Sequence, residues 1–333
     1  MHATTFANNK RSLHGASDAS QSETTPTFIV GSVRSGTTLL RLMLDHHPEI
    51  AFHFEFEFAV DCIGPEGHLP SINDYHKYLR QDRVFLLSGG QIDPDLDYTD
   101  LVQSFLDQRR ERAGKQVVGA TVHHGFEKLP YVWPEARYIH LSRDGRDVAR
   151  SCIAMGWAGN MYCAADRWVE AEKEWRRMAE RLPANRKLEV RYEDLIERPE
   201  ETLTAICRFM GVEFSPLIYQ YAEHSTYDLP DPKLLGQWRR KISERELQLA
   251  EARMGDMLVE RGYPLSGLPL ITVGRSEERR LRWEDWRARS RFRRNRYGAS
   301  LFATDFLARR LGIRPLAEWC KRRTDAIDNR HLR

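Results

Sequence analysis

Residues 31–40 read GSVRSGTTLL and follow the apolar run Phe28-Ile29-Val30, where a phosphate-binding turn would leave a strand and open a helix. Gly31, Gly36 and Thr38 fall on the GxxxxGK[ST] frame, but Thr37 stands at the lysine position and Arg34 sits in the middle of the turn. Such a turn aims successive backbone N–H groups at one point, and the following helix adds positive potential there, so its chemistry is anion binding. In a nucleotide triphosphatase the loop lysine would neutralise the terminal phosphates and the last hydroxyl would hold Mg²⁺. Here Arg34 supplies a forked, permanent cation, and Ser35, Thr37 and Thr38 supply hydroxyl donors. No persuasive Walker B strand accompanies the loop. Asp144 follows an apolar run but is preceded by Arg143, which would repel a metal, so magnesium is expected to be dispensable. Short Gly/Ser/Thr clusters also serve as plain tight turns, so the loop alone does not decide its role.

Two further segments carry groups suited to proton transfer. HFEFEF, residues 53–58, sets Glu55 between Phe54 and Phe56, where desolvation would raise a carboxyl pKa toward neutrality, as a general base requires. Strict alternation would place His53, Glu55 and Glu57 on one face; with the phenylalanines packed inward, that face would be solvated and inert. His123 and His124 stand together at the end of a predicted strand, the end at which α/β sites form.

These residues must be positioned by a framework of strands and helices. Short β-branched or apolar runs at 28–30, 116–121, 137–141 and 187–190, with a further extended piece at 50–54, each precede a helical pattern. Helices are expected over 37–46, 99–113, 144–155, 164–182, 199–210 and 243–261. The alternation predicts an α/β fold with three α/β/α layers around a central parallel sheet. Residues 61–97, punctuated by Gly64-Pro65, Gly67, Pro70, Gly89-Gly90 and Pro94, read as an irregular insertion suited to substrate-contacting loops. Nothing repeats at a fixed period.

With the helix and its exit included, FIVGSVRSGTTLLRLMLDHHPEI resembles the 5′-phosphosulfate-binding element of the sulfotransferase family, written as a [RK]SGTTLL loop, a helix and LDxHP. The resemblance implies a P-loop-NTPase-like sulfotransferase fold, use of 3′-phosphoadenosine 5′-phosphosulfate (PAPS), and no metal. Through it Arg34, Ser35, Gly36, Thr37 and Thr38 become cofactor-binding residues. YIHLSRDGRDVARS, residues 138–151, is similar to the family's second element, in which an arginine ending a strand and a serine eight residues later clamp the 3′-phosphate; Arg143 and Ser151 have that spacing. The family's further arginine four residues after the serine is Met155 here. YEDL at 192–195 resembles the segment whose tyrosine lies near the adenine, which assigns Tyr192 to the cofactor. LLGQWRRKIS resembles the late segment that covers it, with Gly236 where tyrosylprotein sulfotransferases carry a serine. Glu55 lies 21 residues beyond Arg34, the offset of the glutamate base in those enzymes. Cytosolic sulfotransferases use a histidine after the central strand, which leaves Glu55, His123 and His124 all as candidate catalytic residues beside Arg34. The resemblance covers residues 26–264, leaving a leader over 1–25 and a basic, mainly helical extension over 265–333.

The whole chain narrows the alternatives. Its 333 residues, 41% of them apolar, contain no stretch near the roughly 20 residues a membrane helix needs. The first 25 residues lack the apolar centre of a secretory signal. Five cysteines without a CxxC pattern read as reduced thiols, and with the rest they point to a cytoplasmic protein. Residues 265–333 hold 18 Lys and Arg against 8 Asp and Glu, within a net charge of only +3. The interspersed acids favour a solvated, salt-bridged helix in this arm. Ten arginines over 275–296, interleaved with Trp283, Trp286 and Phe292, would also suit peripheral contact with an anionic membrane; nucleic acid is the weaker expectation, and homo-oligomerisation or coverage of the active site are the other uses. The expected activity is sulfuryl transfer to a hydroxyl of a carbohydrate, lipid or small metabolite. The rivals are a P-loop kinase or NTPase and a non-catalytic nucleotide-binding protein.

Overall fold

A computed structural model describes residues 25–331, so the expected leader falls, except for Thr25, outside the described residues. Five strands, β1 (Thr27–Val30), β2 (Ile50–Glu55), β3 (Val117–Val122), β4 (Arg137–Ser142) and β5 (Lys187–Arg191), form one parallel sheet in the order β2-β3-β1-β4-β5. Parallel neighbours need long crossovers, and helices supply them. Between strands lie α1 (Thr37–Asp45), α2 (Ile72–Leu79), α3 (Arg83–Ser88), α4 (Tyr98–Ala113), α5 (Gly145–Ala154) and α6 (Met161–Ala179), with only a 3₁₀ turn over Phe126–Tyr131 between β3 and β4; α7 (Tyr192–Glu197) and α8 (Pro199–Met210) follow β5. Shorter pieces follow in α9 (Tyr221–His224) and α10 (Trp238–Lys241), then α11 (Glu244–Met254) and α12 (Asp256–Glu260). The arm consists of α13 (Arg275–Tyr297), α14 (Ala299–Arg310) and α15 (Arg314–His331).

The apolar runs are continuous because both faces of the sheet are covered. Phe28 and Val30 point to one side with Phe56, Val118, Tyr138 and Trp175, while Ile29 points to the other with Leu40, Leu44, Ile139, Leu141 and Ile206. A third core, built from Val148, Cys152, Trp168 and Met254, locks α5, α6 and α11 together. The chain leaves central β1 toward the β2 side and returns to β4 on the opposite side. The loop after β1 therefore opens at the switch point where α/β sheets bind ligands.

Three expectations change. The insertion at 61–97 is not irregular throughout but carries two short helices, because Ser71 and Asp82 accept hydrogen bonds from the backbone N–H groups of Asp74 and Phe85 and so start α2 and α3. The single helix expected over 243–261 is broken at Gly255, whose φ of 58° no helix accommodates. The third change is in the arm. Its first helix is not merely a solvated rod: Leu281 and Asp285 are buried, Asn160 Nδ2 donates to the Leu281 carbonyl at 2.7 Å, and the Gly159 N–H donates to Asp285 at 2.7 Å. The opposite face does carry the expected solvated aromatics, Trp283 and Trp286.

Candidate functional site

The loop between β1 and α1 needs unusual backbone angles at three places. Gly31 has φ 146° and its α-carbon lies against the Leu141 carbonyl, where a Cβ would come within 2.5 Å; Gly36 has φ 96° and lies against the Tyr192 ring. Between them Arg34 adopts φ 69°, a left-handed conformation that is uncommon and costly for a residue with a side chain. The turn thus throws the Arg34 side chain away from the loop axis and toward α5. There Arg34 Nε donates to Ser151 Oγ at 2.9 Å.

Arg143 reaches back from the end of β4. Its guanidinium donates to the Arg34 carbonyl at 3.2 Å and lies 4.3 Å from the centre of the Tyr192 ring. Asp144 does not neutralise it. That carboxylate caps α5 and is held by Arg146, at 2.9 and 2.7 Å, and Arg146 in turn pairs with buried Glu251 at 2.7 Å. Arg146 also stacks on Trp238, and the Trp238 N–H donates to Asp147, which fastens α10 and the segment before it over the start of α5. Among the described residues neither Arg34 nor Arg143 forms an ion pair with a carboxylate. Two buried polar atoms here lack a hydrogen-bond partner, Ser35 Oγ and Arg143 Nε. A group of oxygens with negative charge fits such a donor set.

Thr37, at the lysine position of the loop frame, bonds to His123. The Thr37 Oγ1 to His123 Nε2 distance is 2.9 Å, and His123 Nδ1 lies 2.7 Å from the carboxylate of Glu57, which also accepts from the His123 backbone N–H at 2.9 Å. Burial pushes the Glu57 carboxyl up, but the hydrogen bonds and charge of His123 outweigh it and hold the group below the ordinary carboxylate range. For His123 burial acts downward, and the bond to Glu57 outweighs it, so the imidazole is held above its ordinary value. The bond between them thus favours the charged form of each partner, and both ring nitrogens of His123 are engaged, one by Glu57 and one by the Thr37 hydroxyl.

His53, Glu55 and Glu57 do not share a face. The register of β2 against β3 shifts between His53 and Glu55, the strand ends, and a 3₁₀ turn over Glu57–Ala59 swings Glu57 inward. His53 is boxed in by Phe54, Phe56 and Phe58, and burial pushes its pKa down to about 4. Glu55 stays exposed, so the desolvation expected for it falls on Glu57 instead.

A cleft of about 310 Å³ gathers Arg34, Gly36, Thr37, Thr38, Glu55, His123, Arg143 and Tyr192. Ser35, which is buried, and Ser151, which meets the cleft through its bond to Arg34, are not part of that lining. His124 is turned away: it is exposed and lies 3.1 Å from Asp61. The remaining wall is not the 61–97 insertion but the stretch Thr226–Asp231 with Leu234, together with Trp157 under Arg34. Nothing in the composition of 226–234 marks it in the sequence, whereas Glu57 was visible there and misplaced only by the register shift.

A fold and site of this kind define a class, and the comparison with family models agrees: the model described as "Sulfotransferase family" matches residues 26–216, and the chain belongs to that family. It is 26% identical over 207 residues to "Protein-tyrosine sulfotransferase 2" of Gallus gallus, covering 59% of this chain and 53% of that protein. It is 25% identical over 232 residues to "Protein-tyrosine sulfotransferase 1" of Danio rerio, covering 64% and 62%. The chain thus spans little more than half the length of these relatives. Among solved structures, the "Sulfotransferase Domain from the Synechococcus PCC 7002 Olefin Synthase" superposes with a TM-score of 0.51 at 22% identity, covering 69% of this chain and 94% of that one, which shows a shared fold.

Proposed function

We propose that the protein transfers a sulfuryl group from PAPS to an acceptor hydroxyl, with residues 26–264 as the transferase unit and 265–333 as an appended arm. The observation that carries this reading is the convergence of the two motif arginines: Arg34 bonds Ser151, Arg143 bonds the Arg34 carbonyl, and neither has a carboxylate partner among the described residues. The orphaned Ser35 Oγ and Arg143 Nε point to oxyanion partners at both motifs. Arg34 and the backbone of 35–38 would hold the 5′-phosphosulfate end, Arg143 and Ser151 the 3′-phosphate, and Tyr192 the adenine side.

When bound, PAPS supplies the sulfuryl group and a phosphate that departs as the bond breaks. Arg34 cannot give up a proton at neutral pH, so its help to the developing charge is electrostatic. Behind Thr37, at the lysine position, stands His123, with Nδ1 tied to Glu57 and Nε2 tied to the Thr37 hydroxyl. Both ring nitrogens are thereby engaged and neither is free for an acceptor. Glu55, an exposed carboxylate on the cleft wall, takes the proton of the acceptor hydroxyl.

Glu55, Asp228 and Asp231 make the acceptor side acidic, which repels anionic acceptors and favours a neutral hydroxyl compound such as a carbohydrate, a neutral lipid or a small metabolite. We place the activity in the cytoplasm, in keeping with five free cysteines. Among the described residues no helix is long and apolar enough to cross a membrane. The test is transfer of labelled sulfate from PAPS to carbohydrate, lipid and metabolite fractions, run beside labelled ATP with Mg²⁺. Sulfate incorporation without phosphate incorporation is expected; phosphate incorporation alone would replace this reading with a kinase.

A further inference from the structure

A second arginine cluster lies where α13 crosses the end of α5. The crossing is close because two glycines permit it: a Cβ at Gly156 would come within 2.2 Å of the Phe292 ring, and one at Gly159 within 2.5 Å of Ala288. Beside this seam is a cleft of about 250 Å³ whose walls carry five arginines, Arg83, Arg167, Arg289, Arg293 and Arg296. They come from three parts of the chain: α3, α6 and α13.

Three of these arginines are fixed by neighbours. Arg289 pairs with Asp285 at 2.8 Å, Arg296 with Asp328 at 2.9 Å, and Arg83 donates to the Asn329 side-chain oxygen at 3.2 Å. Arg167 and Arg293 have no carboxylate partner among the described residues. Arg167 instead lies 5.6 Å from the centre of the Trp157 ring, the ring that Arg34 approaches at 5.9 Å. Trp157 is thus a wall common to this cleft and to the one after β1. Guanidinium groups cannot relieve mutual repulsion by losing protons, so gathering them around one small space favours an anion in it.

We propose that this cleft binds a tetrahedral phosphate or sulfate group, with Arg167 and Arg293 forking onto its oxygens and Arg289 and Arg296 held in orientation by their carboxylates. The cleft begins at Met155, four residues beyond Ser151. Two sources of such a group follow: the 3′-phosphate of a nucleotide seated next door, shared with Arg143 and Ser151 across Trp157, or a free oxyanion. The proposal rests on the arginine cluster and stands whether or not the nucleotide reading of the first cleft does.

The test is calorimetry on the full chain and on the double variant Arg167→Ala/Arg293→Ala. Both side chains are exposed and unpaired, so the variant should keep the wild-type melting temperature. Each protein is titrated with adenosine 3′,5′-bisphosphate, with adenosine 5′-monophosphate, and with inorganic phosphate after saturation with the bisphosphate. If the group is the nucleotide's, the variant loses about ten- to a hundredfold in bisphosphate affinity and nothing toward the monophosphate. If it is a free oxyanion, bisphosphate affinity is kept, and the inorganic phosphate bound by the wild type is lost in the variant. Identical behaviour of the two proteins in all three titrations would overturn the proposal. A wild type that binds neither nucleotide would sink the reading of the first cleft alone, because the phosphate titration, then run without bisphosphate, still decides this one.

Discussion

The cleft after β1 and the outer face of α13 both present arginines, yet they handle charge in opposite ways. In the cleft, Arg34 and Arg143 are two cations held by neutral partners, a serine hydroxyl, a backbone carbonyl and an aromatic ring. On α13, three arginines sit one turn from an acid, Arg282 with Glu278 at 2.7 Å, Arg289 with Asp285 at 2.8 Å and Arg280 with Glu284 at 3.7 Å, while Arg291 and Arg294 stand exposed without a carboxylate partner among the described residues. Counting positive residues therefore locates the arm and overlooks the site. What marks an anion-binding place is the cation without a carboxylate in the wall of a cleft, backed by buried donors with no partner. By that criterion the arm contributes at the seam, where Arg293 and Arg167 line one cleft.

The contrast can be broken most severely at the cleft. Replacing Glu55 by Gln should lower kcat by about 10²–10⁴-fold while leaving nucleotide affinity unchanged, as expected for loss of a general base. Steady-state kinetics with calorimetry checks both halves, and an unimpaired kcat would return the base role to His123.

Next in size is the buried pair behind Thr37. Glu57→Gln should destabilise the fold by about 3 kcal/mol, because it breaks a buried, doubly hydrogen-bonded pair with His123. The pH dependence has a definite sign. His123 is held above 6.5 and Glu57 below 4.5, so the pair's contribution is complete between those ordinary values. It is lost as pH rises through the raised pKa of His123 and as pH falls through the depressed pKa of Glu57. Denaturation of wild type and variant across pH should show the largest gap inside that window; a gap that widens steadily above it would mean that His123 is neutral.

Smaller effects are expected in the arm. Gly156→Ala sets a Cβ against Phe292 at a φ of 72° and should cost about 1–3 kcal/mol, read as faster proteolysis between α12 and α13. Arg280→Ala, which removes only exposed one-turn pairs with Glu277 and Glu284, should change stability by no more than about 0.5 kcal/mol. A larger loss there would contradict the distinction between paired and unpaired arginines.

Much of the framework was legible because the inner strands β1, β3 and β4 are buried on both faces and read as mostly apolar runs, while the edge strand β5 shows only alternation; β1, β4 and β5 lie within a residue of expectation. Arg34, Arg143 and Ser151 were singled out through the resemblance of two local motifs, and the structure brings the three together. Glu57 was not, since a one-residue register shift reverses which side chains share a face and leaves no trace in the alternation. His123 and His124 are equivalent by type, and only the pairing of β3 with its neighbours turns the first inward and the second toward Asp61. The docking of α13 depended on Gly156 and Gly159, whose value lies in a partner more than a hundred residues away.

The central claim is that Arg34 and Arg143 hold opposite ends of one nucleotide. Calorimetry of wild type and Arg143→Ala with adenosine 3′,5′-bisphosphate and adenosine 5′-monophosphate tests it most directly. The wild type should prefer the bisphosphate by about tenfold or more, and Arg143→Ala should bring the bisphosphate down to the level of the monophosphate without weakening the monophosphate itself. Equal affinity of the wild type for both nucleotides, or a variant that weakens both alike, would contradict the account.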